Sequence, residues 1–175
     1  MIVLMAGLPG TGKSTLAREL AARLHGAVLD KDRVRAALFA AEDIEYSAAQ
    51  DDLCVNLLLE AARWLLAKDP LRRIFIDGRT FSKRYQVEAA VRAIDAINAP
   101  WRIIECVCSE ETARRRLETD AASGAHPAAN RDFNLYLEVK RCWEPIALPK
   151  TVIDTDKPME ENIRVGLQAI GGDSA

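Results

Sequence analysis

The sequence predicts an α/β fold in three layers, with helices on both faces of a five-stranded parallel sheet, and three observations lead there. Apolar, β-branched runs alternate with helical patterns along the chain. These runs are short and separated by helices, which implies parallel strands joined by right-handed crossovers, covered on both faces. A glycine-rich turn stands where the first strand hands over to the first helix. In such a sheet ligand groups gather at the carboxyl ends of the strands, so function belongs on that edge.

The elements follow in order. Strand Ile2 to Ala6 precedes a helix over Lys13 to His25. Strand Ala27 to Asp30 leads into helices over Asp32 to Phe39 and Ser47 to Lys68. Strand Arg73 to Asp77 is followed by a helix over Ser82 to Asn98, and strand Arg102 to Val107 by helices over Glu110 to Thr119 and Asp132 to Trp143. Strand Thr151 to Asp154 and a helix over Glu160 to Ala169 complete the pattern. The stretch Ala121 to Asn130 reads as a loop, with small residues, Gly124 and Pro127, and marks a lid around residues 119–132 of a single domain, 1–175.

At 175 residues, 49% apolar and 29% charged, the composition is that of an ordinary globular protein of one domain. A strand beginning at Met1 leaves no room for a targeting peptide, and no apolar run approaches the roughly 20 residues of a membrane span, so a cytoplasmic protein without a membrane partner is expected. A net charge of −2 and a pI near 5.8 provide no basic footprint and disfavour nucleic acid as the partner. Cys54, Cys106, Cys108 and Cys142 stand in apolar surroundings without paired spacing, which reads as buried free thiols. Trp64, Trp101 and Trp143 read as packing residues of the core or of helix faces.

Residues Gly7, Leu8, Pro9, Gly10, Thr11, Gly12, Lys13, Ser14 and Thr15 read GLPGTGKST, the spacing GxxxxGK followed by Ser or Thr. Backbone N–H groups must curl around phosphate oxygens, which requires small residues free to adopt positive φ. Lys13 supplies charge to the β and γ phosphates, Ser14 a hydroxyl to Mg²⁺, and the helix start its N–H groups and dipole. This is a phosphate-binding loop, and ATP with Mg²⁺ is the expected ligand pair. No base-reading NKxD sequence occurs, which disfavours a guanine nucleotide switch, while Thr155 after the last strand is expected near the adenine.

Other chemistry-bearing residues fall on the same edge. After the second strand, DKDRVR brings Asp30, Asp32 and Arg35. Asp32 is expected to accept or orient the proton of a hydroxyl acceptor, Arg35 one turn on to hold a substrate anion or that carboxylate, and Asp30 to meet substrate or the shell of Mg²⁺. The competing reading makes Asp32 a helix cap or first-turn acid. Asp77 ends the run IFID as a strand-terminal metal-binding acid does, or else merely opens the turn DGRT; within that turn, Arg79 is the candidate substrate residue. Lys83 and Arg84 fit a solvated first turn equally well. Arg114, Arg115 and Arg116 stand about 100° apart on a helix, so at most two face a nucleotide. Arg116 and Arg131 are the candidates for stabilising the transferring phosphoryl group.

Taken together, GLPGTGKST, LDKDRVR, IFIDGRT, the arginine-rich helix and VIDTD resemble the small P-loop kinases grouped with the kinase domain of phage polynucleotide kinase, an AAA_33-type family that is also similar to the zeta-toxin, gluconate kinase and shikimate kinase branches. The resemblance implies a P-loop NTPase fold with strand order 2-3-1-4-5 and phosphoryl transfer from ATP to a hydroxyl. It carries the loop lysine and serine onto Lys13 and Ser14, the acceptor base and its arginine onto Asp32 and Arg35, and the third-strand acid onto Asp77 or one place on, at Gly78. Where the phage enzyme has a lid arginine this sequence has Asp120, so that role passes to Arg116 or Arg131.

The resulting expectation is an ATP- and Mg²⁺-dependent kinase acting on a small-molecule hydroxyl. A polynucleotide 5′-hydroxyl kinase and a non-catalytic, toxin-like or regulatory ATP-binding module are the alternatives. Nothing in the sequence identifies the acceptor or the oligomeric state.

Overall fold

A computed structural model describes residues 1–123 and 132–171. Five strands, β1 (Ile2–Ala6), β2 (Gly26–Asp30), β3 (Arg73–Asp77), β4 (Trp101–Val107) and β5 (Thr151–Asp154), form one parallel sheet in the order β2-β3-β1-β4-β5. The helices described are α1 (Lys13–Arg23), α2 (Lys31–Leu38), α3 (Ala48–Lys68), α4 (Arg84–Asp95), α5 (Glu110–Ser123), α6 (Phe133–Arg141) and α7 (Met159–Gly171). The expected three-layer architecture and strand order are those observed.

Both faces of β1 are buried, and alternate residues serve different layers. Ile2 and Leu4 join Ile74, Ile76 and Ile103 beneath Leu58 and Ala62 of α3 and Ala90 and Ile94 of α4. Val3 and Met5 join Phe75, Ile104 and Ile153 beneath Leu16 and Leu20 of α1 and Ile163 and Ile170 of α7. This double cover is why β1, at the centre of the sheet, is apolar throughout. A smaller cluster, Ala113 and Leu117 of α5 with Tyr136 of α6, packs against Leu8 and ties the two later helices to the phosphate loop.

Several boundaries differ from the sequence reading for identifiable reasons. Helix α4 begins at Arg84 rather than Ser82, because the Glu144 carboxylate accepts from Arg84 N at 2.8 Å and Phe81, at φ 55°, turns the chain just before. Helix α5 continues to Ser123, so the first residues of the expected loop are helical; residues 124–131 of the proposed lid, His126 and Arg131 included, lie outside the described residues. A short 3-10 turn at Ala41–Asp43 carries no apolar period and was not anticipated. Trp64 is not a packing residue of the core: it is 57% exposed, with the Lys68 ammonium over its ring. Of the four cysteines only Cys54 and Cys106 are buried, and Cys142 is exposed. Among the described residues no helix is long and apolar enough to cross a membrane.

Candidate functional site

The turn between β1 and α1 owes its shape to glycine. Gly7, Gly10 and Gly12 sit at φ 132°, 78° and 79°, and a Cβ on Gly7 would lie 2.2 Å from the Cys106 carbonyl oxygen. Gly12 caps α1 without a side-chain acceptor, which leaves the first N–H groups of the helix available to an anion. Lys13 Nζ donates to Gly7 O at 2.7 Å and Leu8 O at 2.8 Å, curling the ammonium over the loop. Thr11 Oγ1 braces it by donating to Leu8 O at 2.7 Å.

Two cavities flank this loop, and Ser14 lines both. The first, about 300 Å³, lies between Pro9, Lys13 and Ser14, the start of α2, Tyr46, Asp51 and the turn after β3. The second, about 420 Å³, lies on the far side, among Gly12, Thr15, Asp30, Arg116, Asp120 and Thr155. Arg116 reaches across the loop: Nη1 donates to Thr155 Oγ1 at 2.9 Å and Nη2 to Thr155 O at 2.9 Å. Thr155 Oγ1 in turn donates to Thr11 O at 3.0 Å, so loop, α5 and the end of β5 form one wall. Arg114 instead stacks on Phe133 and Arg115 is exposed, in keeping with their helical spacing.

The residues after β2 separate into two roles that the sequence left ambiguous. The helix cap is Asp30, whose Oδ1 accepts from Asp32 N at 2.9 Å and Arg33 N at 3.4 Å. It lines the second cavity, away from Asp32. Burial, then the neighbouring Asp77 carboxylate, pushes the Asp30 carboxyl above its usual range. Asp32 is therefore released from capping, and its side chain lines the first cavity. Arg35 Nη1 donates to Asp32 Oδ1 at 3.0 Å and Lys31 Nζ approaches the same oxygen at 3.1 Å. Of the two uses foreseen for Arg35, the structure has it on the carboxylate.

Asp51 of α3 closes this cluster, pairing with Lys31 at 2.7 Å and also with Arg35. All four charged side chains are mostly buried, which lowers the Lys31 pKa from its ordinary value, burial being the main cause. Sequence reasoning missed Lys31, Asp51, Asp52 and Tyr46. The visible signal for the aspartates was Asp51 in the first turn of a helix capped by Ser47, with Asp52 next to it, and a first-turn acid is equally what the helix dipole favours. Tyr46, at φ 51°, holds its ring 5.0 Å from the Arg35 guanidinium carbon.

Asp77 ends β3 opposite Asp30 in the register, 1% exposed, and neither carboxylate oxygen has a hydrogen-bond partner among the described residues. Gly78, at φ 88°, makes the turn; a Cβ there would lie 2.9 Å from both Asp30 Oδ1 and Lys31 N. Arg79 follows, buried, with Nη1 2.6 Å from Asp52. Lys83 pairs with Glu144 at the surface rather than reaching the cavity. Burial pushes the thiol of Cys106, behind the loop, up to about 12, which keeps it protonated near neutral pH.

Residues 2–138 match the family model described as AAA domain, AAA_33. Among solved structures, the chain is similar to the crystal structure of APE1195 (23% identity over 99% of this chain and 96% of that one, TM-score 0.76). It is also similar to the Mycobacterium tuberculosis APS kinase CysC in complex with AMPPNP and APS (18% identity, 97% and 96% covered, TM-score 0.72). A third is Chaetomium thermophilum Kti12 in complex with ADP-AlF3 (15% identity, 100% of both chains, TM-score 0.73). At these identities the likeness is one of fold. No curated protein matches the sequence.

Proposed function

The chain belongs to the AAA domain family AAA_33, and from that premise we propose that it is an ATP-dependent phosphotransferase that moves the γ-phosphoryl group of ATP to a hydroxyl of a small molecule. One observation carries the reading: a single cavity is walled on one side by Lys13 and Ser14 of the phosphate loop and on the other by Asp32 with Arg35 and Lys31. A nucleotide lying across Ser14, its base toward Arg116 and Thr155 and its γ phosphate toward the first cavity, would meet an acceptor there. The small-molecule kinase among the structural neighbours supports this choice of acceptor class.

In this reading the acceptor oxygen forms a bond to the γ phosphorus as the bond from that phosphorus to the β,γ-bridging oxygen breaks; ADP leaves with that oxygen, and the hydroxyl proton passes to Asp32. Both cations engage Oδ1 of Asp32, so Oδ2 is the edge that accepts it. A positioned base contributes roughly 10²–10⁴-fold. Lys13 exchanges the Gly7 and Leu8 carbonyls for phosphate oxygens, a swap that places its charge where the β and γ phosphates lie. Mg²⁺ would be held by Ser14 and Asp77, whose buried and unpartnered oxygens suit a cation, and would offset charge on the phosphates when bound.

The test is purified protein with ATP, Mg²⁺ and a panel of hydroxyl compounds that includes 5′-hydroxyl oligonucleotides, read by mass spectrometry. Lys13→Ala is expected to abolish ATP binding, whereas Asp32→Asn leaves ATP affinity within a factor of about two and lowers transfer by at least about 100-fold. Absence of any phosphorylated product, or equal loss of ATP affinity in both variants, contradicts the reading. Transfer confined to the oligonucleotides would support the polynucleotide kinase alternative.

A further inference from the structure

We propose that the acceptor carries a fixed anionic group, a carboxylate, phosphate or sulfate, in addition to the hydroxyl that is phosphorylated, and that Arg79 is the seat of that anion. The inference rests on the phosphotransferase reading and narrows its substrate. Its first support is the charge of the acceptor cavity. Lys13, Lys31, Arg35 and Arg79 line it against the carboxylates of Asp32 and Asp51. Lys31 and Arg35 pair with those two aspartates inside the cavity, and although Arg35 Nε also lacks a hydrogen-bond partner among the described residues, the Arg35 charge is balanced within the wall; Lys13, in the phosphotransferase reading, serves the nucleotide. Arg79 is the remaining cation of the wall, and its partner Asp52 is not among the cavity residues and is 42% exposed.

The second support is Arg79 itself. The residue is 3% exposed; Nη1 pairs with Asp52 at 2.6 Å, yet Nε and Nη2 have no hydrogen-bond partner among the described residues. Burying a guanidinium with donors unmet is costly, and such sites persist where a ligand completes them. Nε–H and Nη2–H form one edge of the planar guanidinium, the edge whose two parallel donors match the two oxygens of a carboxylate, phosphate or sulfate. Arg79 lines the cavity, and an anion that met this edge there would pair with it where competing water is scarce. A cavity of about 300 Å³ suits a compact molecule, with one end on Arg79 and its hydroxyl at Asp32.

The experiment uses protein loaded with AMPPNP and Mg²⁺, so that the phosphate loop does not itself capture the probe. Matched pairs are titrated calorimetrically: glycerate and glycerol 3-phosphate against glycerol, gluconate against sorbitol. At least one anionic probe is expected to bind tenfold or more tightly than its neutral partner, and the comparison of glycerate with glycerol 3-phosphate separates carboxylate from phosphate. Arg79→Gln should erase the preference, and Arg79→Lys, which retains charge but loses the parallel donors, should restore part of it. Unchanged AMPPNP affinity reports that the variants are folded; should Arg79→Gln fail to fold, the wild-type preference and Arg79→Lys decide. Equal binding of charged and neutral members, no binding of any anion, or anion preference that survives Arg79→Gln overturns the proposal. Transfer from ATP is measured on the same pairs. Anion binding through Arg79 without transfer would sink the phosphotransferase reading alone, and transfer indifferent to the anionic group would sink this inference alone.

Discussion

Replacing Asp51 with asparagine keeps the shape of the side chain and removes one charge from a cluster that has two of each sign. Asp51 lies 2.7 Å from the Lys31 ammonium and also pairs with Arg35, and those cations are only 7% and 3% exposed. At an effective dielectric constant near 20, a contact of about 3 Å is worth roughly 5 kcal/mol before costs. Relief of the desolvation of Asp51 and of its repulsion from Asp32 offsets much of that. Removing one member of a buried pair costs about 3–5 kcal/mol, and the 23% exposure of Asp51 puts this case at the lower end, about 3 kcal/mol. For a chain of this length that lowers Tm by roughly 6–12 °C. Calorimetric unfolding of wild type and Asp51→Asn measures it, and AMPPNP titration supplies the control, because Asp51 is absent from the second cavity and from the loop contacts. A Tm within about 2 °C of wild type would refute the idea that the four charges form one energetic unit. A parallel fall in AMPPNP affinity would refute the separation of acceptor cluster from nucleotide site.

Gly78→Ala should lower Tm by roughly 2–8 °C, since φ 88° costs about 1–2 kcal/mol for an L side chain, and toward the upper end because the new methyl would sit 2.9 Å from the Lys31 amide nitrogen, which is backbone and cannot swing away; thermal unfolding measures it. Arg116→Ala should raise the KM for ATP roughly tenfold and leave kcat within a factor of about two, because Arg116 braces Thr155 and Gly10 in the second cavity; steady-state kinetics showing the reverse split would give it a transition-state role instead. The buried Cys106 thiol, ordinarily near 9.0, is held up to about 12, so between those values the folded protein keeps a proton that the unfolded chain releases. Its contribution is therefore present below pH 9.0 and is lost as pH rises toward 12, by up to about 1.4 kcal/mol per pH unit. Denaturant titrations from pH 8 to 10.5 should show a shallower alkaline decline in Cys106→Ala than in wild type, and thiol reagents should modify exposed Cys142 long before Cys106.

Much of the fold could be read in advance because its signals are local. Strands β1, β3 and β5 begin and end at the residues the apolar runs indicate, and the phosphate loop is declared by its own nine residues. The ends of helices were less legible. Helix α4 starts where Glu144, sixty residues away, accepts from Arg84 N, and no window of sequence contains both. Trp64 and Cys142 failed as packing residues because burial depends on which face of α3 or which end of α6 the rest of the chain covers. At the site, Lys13, Ser14, Asp32, Arg35 and Arg79 were visible as candidates through their distance from recognisable strands. Lys31 and Asp51 were not, since a lysine between two aspartates and an aspartate in a first turn look like solvated charge until α2 and α3 meet.

By itself the amino-acid order determined the layered α/β fold, the order of its strands through family resemblance, and an anion cradle at the head of α1, because alternation of apolar runs, glycine freedom and helix capping act over a few residues. Tertiary structure alone decided that Asp30 rather than Asp32 caps α2, that Asp32 shares a cavity with Lys13, and that Arg79 is buried with two of its three guanidinium nitrogens unpartnered among the described residues. Those are outcomes of through-space charge and burial, which arise only when segments distant along the chain are brought within a few ångströms of one another.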